Sequence, residues 1–228
     1  MTTETQTAPA SGLGVTVADL RCVHRRDGLG ALLRKLAHRV LRALHSYDDI
    51  LLMTKDLGEA ADMTFDDALR IEETSTSDLP ALYDFNRRRC FSKADARAAA
   101  ALDRGHRGFV AYAGEELVGY YWWVDADIEP HHRDIGQFGL GFELGPGEVY
   151  GYDLYLLEEH RREGKSMEFL YKIETGLREL GYGLVWGYIE TDNRPARWLY
   201  QSRGYKPVRE VATRRVLGRR VSRRVEQS

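Results

Sequence analysis

Arg161-Arg162-Glu163-Gly164-Lys165-Ser166 decides how this chain is read. The run stands between an apolar, strand-like stretch at residues 149–156 and a helix-like stretch at residues 166–180. A basic turn that holds a glycine and enters a helix leaves backbone N–H groups unpaired at the positive end of the helix dipole. Such a turn binds anions, phosphate above all. Gly-Lys-Ser suggests a P-loop, but that motif needs a glycine five residues before Gly164, and position 159 is Glu. The dinucleotide fingerprint G-x-G-x-x-G is also missing after the strand. What is left is Arg-x-x-Gly-x-Ser, a phosphate-binding turn of another kind.

Downstream, a second apolar strand at residues 184–189 is followed by Asn193, Ala196, Tyr200, Gly204 and Tyr205 in the pattern Asn-x-x-Ala-x-x-x-Tyr-x-x-x-Gly-Tyr. The two motifs, in this order and with a strand between them, resemble the signatures of the GNAT acyltransferase superfamily. The resemblance is strong over residues 149–211, extends back to about residue 69, and leaves the first sixty or so residues uncovered. It implies an α/β (α+β) fold, in which a mixed, mostly antiparallel sheet is flanked by helices. It also implies acyl-CoA, acetyl-CoA first, as the donor, and direct transfer of the acyl group to a primary amine.

Carried over residue by residue, the resemblance assigns a site. Backbone N–H groups of Arg162, Glu163, Gly164, Lys165 and Ser166 would cradle the pyrophosphate, with Arg161 and Lys165 adding charge. Gly164 lets the main chain approach closely because it has no Cβ. Ser166 is also a natural N-cap. The strand before the loop would splay from its neighbour and offer the backbone of Leu154 and Leu156 to the pantetheine arm. The Leu154 N–H would polarise the thioester carbonyl. Asn193 matches a cofactor-contacting position and is equally an ordinary N-cap. Tyr200 matches the general acid, since a phenol's pKa near 10 is close enough to a thiol's for proton donation.

The base is less defined. Tyr150 and Tyr152 stand where some relatives carry Glu or His, and period-two alternation puts them on one face with Leu154 and Glu148, with Asp153 opposite. Glu148 leads as base, followed by Glu190 at the end of the neighbouring strand. His131 and His132 titrate near neutrality in the Gly-rich connection and could reach over the site. For the acceptor, the aromatic run through Tyr120 and Trp122, followed by Asp125, Asp127 and Glu129, suits a cationic amine. Together with Tyr150 and Tyr152 it forms the expected acceptor-binding set. The long connection 125–147 reads as a lid. A small-molecule amine and a protein or peptide amine both fit as acceptor.

The rest of the chain sets bounds. Its 228 residues allow one domain with additions. A net charge of −2 gives no global pull toward nucleic acid, and the basic segments lack interleaved aromatics. No stretch is long and apolar enough to span a membrane, and no metal-ligand cluster is evident. Cys22 and Cys90 make no disulfide framework and suit a reducing cytoplasm, neither being placed as a covalent relay. Residues 1–20 read as a disordered leader and residues 21–65 as an extension. The acyltransferase domain spans residues 66–217, and residues 218–228 are a basic tail.

Within the extension, leucines from Leu29 to Leu44 recur at helical spacing opposite Arg34, Lys35, His38, Arg39 and Arg42. This helix either packs its leucines on the domain or uses residues 25–45 against a membrane surface or an acidic partner. A strand-like segment at residues 50–53 favours packing. A homodimer is compatible with this organisation, as is a non-catalytic acyl-CoA-binding module or a peripheral membrane or assembly protein.

Overall fold

A computed structural model of the chain describes residues 17–59, 63–65, 68–91, 93–128, 142–216 and 219–225. The chain opens with α1 (Val17–Leu44), which is interrupted at Gly28, where φ is +81°. Then come β1 (His45–Asp56), β2 (Arg70–Glu73), α2 (Leu79–Arg88), α3 (Lys93–Asp103), β3 (Arg107–Ala113) and β4 (Glu116–Asp125). The second half supplies β5 (Glu148–Leu156), α4 (Lys165–Glu179), β6 (Leu184–Glu190), α5 (Arg194–Ser202), β7 (Lys206–Val216) and β8 (Arg219–Val225). From β2 to β7 this is the expected order of elements.

The strands form one sheet in the order β2-β3-β4-β5-β6-β1-β7-β8. Every neighbouring pair is antiparallel except β5 and β6. Two expected boundaries change here. β1 lies between β6 and β7, pairing with both, so the segment read as an extension ending at residue 65 supplies a central strand of the domain. Its apolar run is long enough for a strand buried on both faces: Leu51 and Met53 join the main core, while Ile50 and Leu52 join a second, smaller cluster. The segment read as a basic tail forms β8, which pairs with β7 from Val216↔Arg219 to Glu210↔Val225.

The main core is held by α4, whose Phe169, Leu170, Ile173 and Leu177 are buried against the sheet. At Gly176 the helix comes so close to β3 that a Cβ would meet Phe109 Cζ at 2.7 Å. Beneath the helix lies a buried ionic group: Glu174 Oε2 accepts from Lys55 Nζ of β1 at 2.5 Å and from Arg203 Nε and Nη2, after α5, at 3.1 and 2.5 Å.

Packing of α1 is partial. Val23 is buried, but Leu29 and Leu33 are 58% and 57% exposed. Cys22 and Cys90 are joined by a disulfide with Cα atoms 5.6 Å apart. Their reading as thiols suited to a reducing cytoplasm is therefore corrected: the bond closes a sequence separation of 68 residues and ties the start of α1 to the turn after α2. No helix among the described residues is long and apolar enough to cross a membrane.

Candidate active site

The parallel pair β5–β6 holds for only three pairs: Glu148↔Leu184, Val149↔Val185 and Tyr150↔Trp186. Beyond Tyr150 and Trp186 the strands separate, and from Gly151 to the end of β5 one backbone edge has no ladder partner. This is the splay expected on either side of Leu154 and Leu156. An open strand edge offers N–H and C=O groups to an extended ligand, which binds as an added strand.

The 161–166 turn closes the far end of this edge. Gly164, at φ +79°, is the left-handed N-cap of α4, and nothing lies within 4 Å of where its Cβ would be. The N–H groups of Arg162, Glu163, Gly164 and Ser166 have no acceptor among the described residues, whereas that of Lys165 bonds to the Arg162 carbonyl. The cradle is therefore four open amides at the start of a fifteen-residue helix. Two side chains in it are structural. Arg161 Nε donates to the Leu156 carbonyl at 2.8 Å, and its guanidinium lies 4.8 Å over the Tyr155 ring. Ser166 donates to the Arg161 carbonyl at 3.2 Å and is not the N-cap. Asn193 caps α5, its Oδ1 accepting from the Ala196 N–H at 3.2 Å.

β5 carries a one-residue bulge against β4 between Tyr120↔Tyr155 and Trp122↔Tyr152, with Asp153 at φ +48°. The extra residue breaks the alternation assumed from the sequence. Asp153 comes to the Tyr120 side, where it accepts a hydrogen bond from the Tyr120 hydroxyl at 3.2 Å, while Leu154 packs against the main core. Leu154 and Tyr152 thus do not share the simple face expected of them. Asp153 and Leu154 have no ladder partner in β4. Tyr120 and Trp122 are only 3% and 5% exposed. The Tyr120 hydroxyl also accepts from Arg89 Nη1 at 2.7 Å. Burial, with the Asp153 charge, raises its pKa well above the usual phenol range. Neither residue lines an open acceptor surface as expected.

Tyr150 and Tyr152 do share a face, with ring centroids 6.4 Å apart. Tyr188 joins the stack from β6, also at 6.4 Å from Tyr150, and Phe142 stacks on Trp186 at 4.6 Å. His106 Nδ1 is 2.5 Å from the Tyr152 hydroxyl. Tyr188 and His106 were not singled out from the sequence, although Tyr188 was findable from the alternation 186-188-190 on β6. Glu148 is committed elsewhere: its Oε2 accepts from Trp186 Nε1 at 2.9 Å and from the Gly145 N–H at 3.2 Å. Glu190, half-buried, lies at the splayed end of β6, two residues beyond Tyr188. Asp125 accepts from the Tyr182 hydroxyl at 2.6 Å. Glu129, His131 and His132 lie outside the described residues.

Tyr200 stands on α5 across the gap, its ring edge-on to Tyr205 at 4.6 Å. Its Cε1 is 3.9 Å from where a Cβ on Gly187 would be, and Gly187 is the first β6 residue past the last ladder pair. Burial, with the nearby Glu174 carboxylate, holds its phenol pKa well above the ordinary value. Among the described residues no group of His, Cys, Asp and Glu is placed to hold a metal.

A profile described as "Acetyltransferase (GNAT) family" matches residues 68–205. No curated protein matches the chain. Among solved structures, a functionally unknown conserved protein from Staphylococcus epidermidis is 14% identical, with a TM-score of 0.50, covering 78% of this chain and 63% of its own. The GCN5-related glucosamine N-acetyltransferase region of a fungal multi-domain GH3 beta-N-acetylglucosaminidase is 14% identical, with a TM-score of 0.55, covering 81% of this chain and 22% of its own. A GCN5-related N-acetyltransferase from Sphaerobacter thermophilus is 14% identical, with a TM-score of 0.49, covering 88% and 58%. The first two are likenesses of fold alone, and the chain spans under two thirds of either protein. The family match covers more than half of the chain and ends on Tyr205, the last residue of the second motif. By its motifs, its splayed sheet and this match, the chain belongs to the GNAT acetyltransferase family.

Proposed function

We propose that this protein is an acyl-CoA-dependent N-acyltransferase, acetyl-CoA being its first donor, that acts on a primary amine by direct transfer in a ternary complex. The observation that carries the reading is the gap between β5 and β6, which opens after Tyr150↔Trp186 and runs to the four open amides of the 161–166 turn. The fit is physical: an open strand edge suits the amide-containing pantetheine arm, and open amides at a helix N-terminus suit a pyrophosphate. The donor, when bound, supplies the activated thioester.

The residues divide the work. The Leu154 N–H, freed from β4 by the bulge, is the donor for the developing oxyanion. Tyr200 holds a proton on the far side of the gap for the departing thiolate. The half-buried Tyr152 and Tyr188 form an aromatic wall that suits a cationic amine, with Tyr150, expected to line it, fully buried between them in the stack. Of the two expected bases, Glu148 already accepts from Trp186 and Gly145, while Glu190 stands at the splayed end of β6 and is the one proposed to take the amine's proton; the Tyr152–His106 pair, not expected from the sequence, is a second route for it. The test is a thiol-release assay with acetyl-CoA across an amine library. Amine-dependent release supports the reading, and release no faster than the amine-free background contradicts it.

A second use of α1 is favoured by its exposed Leu29 and Leu33 beside basic residues: contact with an anionic membrane surface. Flotation with anionic liposomes tests it, and equal flotation after Leu29→Ser and Leu33→Ser would end it.

A further inference from the structure

Tyr121 stands on β4 opposite the bulge and, like Asp153 and Leu154, has no ladder partner there. It is 3% exposed, with its ring 6.1 Å from that of Trp123. The ring crosses β5 at Gly151. A Cβ on Gly151 would lie 2.5 Å from Tyr121 Cζ and 2.9 Å from Cε2, closer than any real Cβ comes, and nearer still to the hydroxyl. Glycine at 151 is therefore what lets the phenol pass over the strand.

Gly151 is also the first β5 residue past the last pair with β6. The Tyr121 hydroxyl thus emerges where the gap begins. Its counterpart across the gap is Gly187, where a Cβ would lie 3.6 Å from the Gly151 carbonyl oxygen and 3.9 Å from Tyr200 Cε1. Gly151 makes room for the Tyr121 ring and Gly187 places no side chain before Tyr200, so two phenols, one from β4 and one from α5, converge on this point. Among the described residues no protein acceptor for the Tyr121 O–H is found. The O–H is therefore available to donate to a ligand oxygen or sulfur in the gap.

We propose that Tyr121 is a second hydrogen-bond donor to the thioester group, standing beside Tyr200 at the head of the β5–β6 gap. The assignment rests on the reading of that gap as the acyl-CoA site. Tyr121 keeps its proton throughout. It lends a hydrogen bond to the thioester oxygen or sulfur, and the proton that leaves with the thiol comes from Tyr200.

The test compares wild type with Tyr121→Phe, which removes only the hydroxyl, and Tyr121→Met as a second variant without a donor. Calorimetry measures affinity for acetyl-CoA and for desulfo-CoA, an analogue that ends before the sulfur. The expected result is a loss of about 3- to 10-fold in acetyl-CoA affinity with desulfo-CoA unchanged, and a fall in kcat of roughly 100-fold, at the low end for the loss of one donor. Equal effects on both ligands, or no effect on either, overturn the assignment, because a merely packed phenol cannot tell the two apart. If wild type binds neither ligand, the donor site itself is refuted and this assignment falls with it. If wild type binds both but no amine drives CoA release, the acyltransfer reading fails, while the affinity comparison still decides Tyr121.

Discussion

Removing the charge of Glu174 tests how the N-terminal strand is built into the site. The carboxylate is 2% exposed, and its partners Lys55 and Arg203 are 5% and 4% exposed. All three hydrogen bonds fall on Oε2, while Oε1 has no partner among the described residues. In Glu174→Gln the shape is kept, but two buried cations lose the one counter-charge they share among the described residues, which costs about 3–5 kcal/mol. For a domain of this size each kcal/mol moves Tm by about 2–4 °C, so the variant melts about 6–20 °C lower. The same substitution removes a negative charge that holds up the pKa of Tyr121, Tyr200 and Tyr205. Differential scanning calorimetry at neutral pH provides the reading. A Tm within about 2 °C of wild type would refute the reasoning, since it would mean that the cations are solvated or neutral. The neighbouring lysine adds a sign. Desolvation lowers the Lys55 pKa below its usual 10.5, with Glu174 opposing the shift. Between the lowered value and 10.5 the unfolded chain binds more protons at this site, so this contribution to stability rises with pH across that window. In Lys55→Met the rise is absent.

Three further outcomes follow from the same contacts. Tyr200→Phe lowers kcat by about 10²-fold with little change in acetyl-CoA affinity, and because the Tyr200 pKa is raised, wild type shows no alkaline loss of kcat from this group up to about pH 10; an unchanged kcat removes Tyr200 from the mechanism. Gly164→Glu puts a side chain at φ +79° and a negative charge beside four open amides, so CoA binds at least about tenfold more weakly by calorimetry while Tm moves by only a few degrees; unchanged affinity would move the pyrophosphate elsewhere. In unreduced, denatured protein Cys22 and Cys90 give no thiol reaction, and reduction costs on the order of 4 kcal/mol by the loop-entropy estimate for 68 residues; two free thiols before reduction would contradict the bond.

The element order from β2 to β7 was legible because each element carries its own local signal: apolar runs for the buried strands, 3.6-residue spacing for α4, and the Asn193 cap for α5. The glycine at 164 was legible as a turn residue, and its left-handed φ at the start of α4 is the physical reason glycine stands there. The place of β1 between β6 and β7 was not, because pairing over 130 residues leaves no mark in local pattern. β8 was missed because its arginines hide the strand period. The bulge at Asp153 displaced the rest: one extra residue, invisible to alternation, moved Asp153 beneath Tyr120 and turned Leu154 to the main core. Glu148 read as a base because the sequence does not show that Trp186 claims its carboxylate. The Cys22–Cys90 pairing was out of reach for the same reason as β1, being a contact across 68 residues.

The central claim is that the gap between β5 and β6 is a catalytic acyl-donor site. The most direct measurement is CoA release from acetyl-CoA by the full chain, followed with a thiol reagent across a library of primary amines, beside calorimetric binding of CoA. The account requires saturable CoA binding and at least one amine that accelerates release and is recovered as its N-acetyl product by mass spectrometry. Binding without acetylated product from any amine would reduce the protein to an acyl-CoA-binding module, and no binding at all would contradict the site.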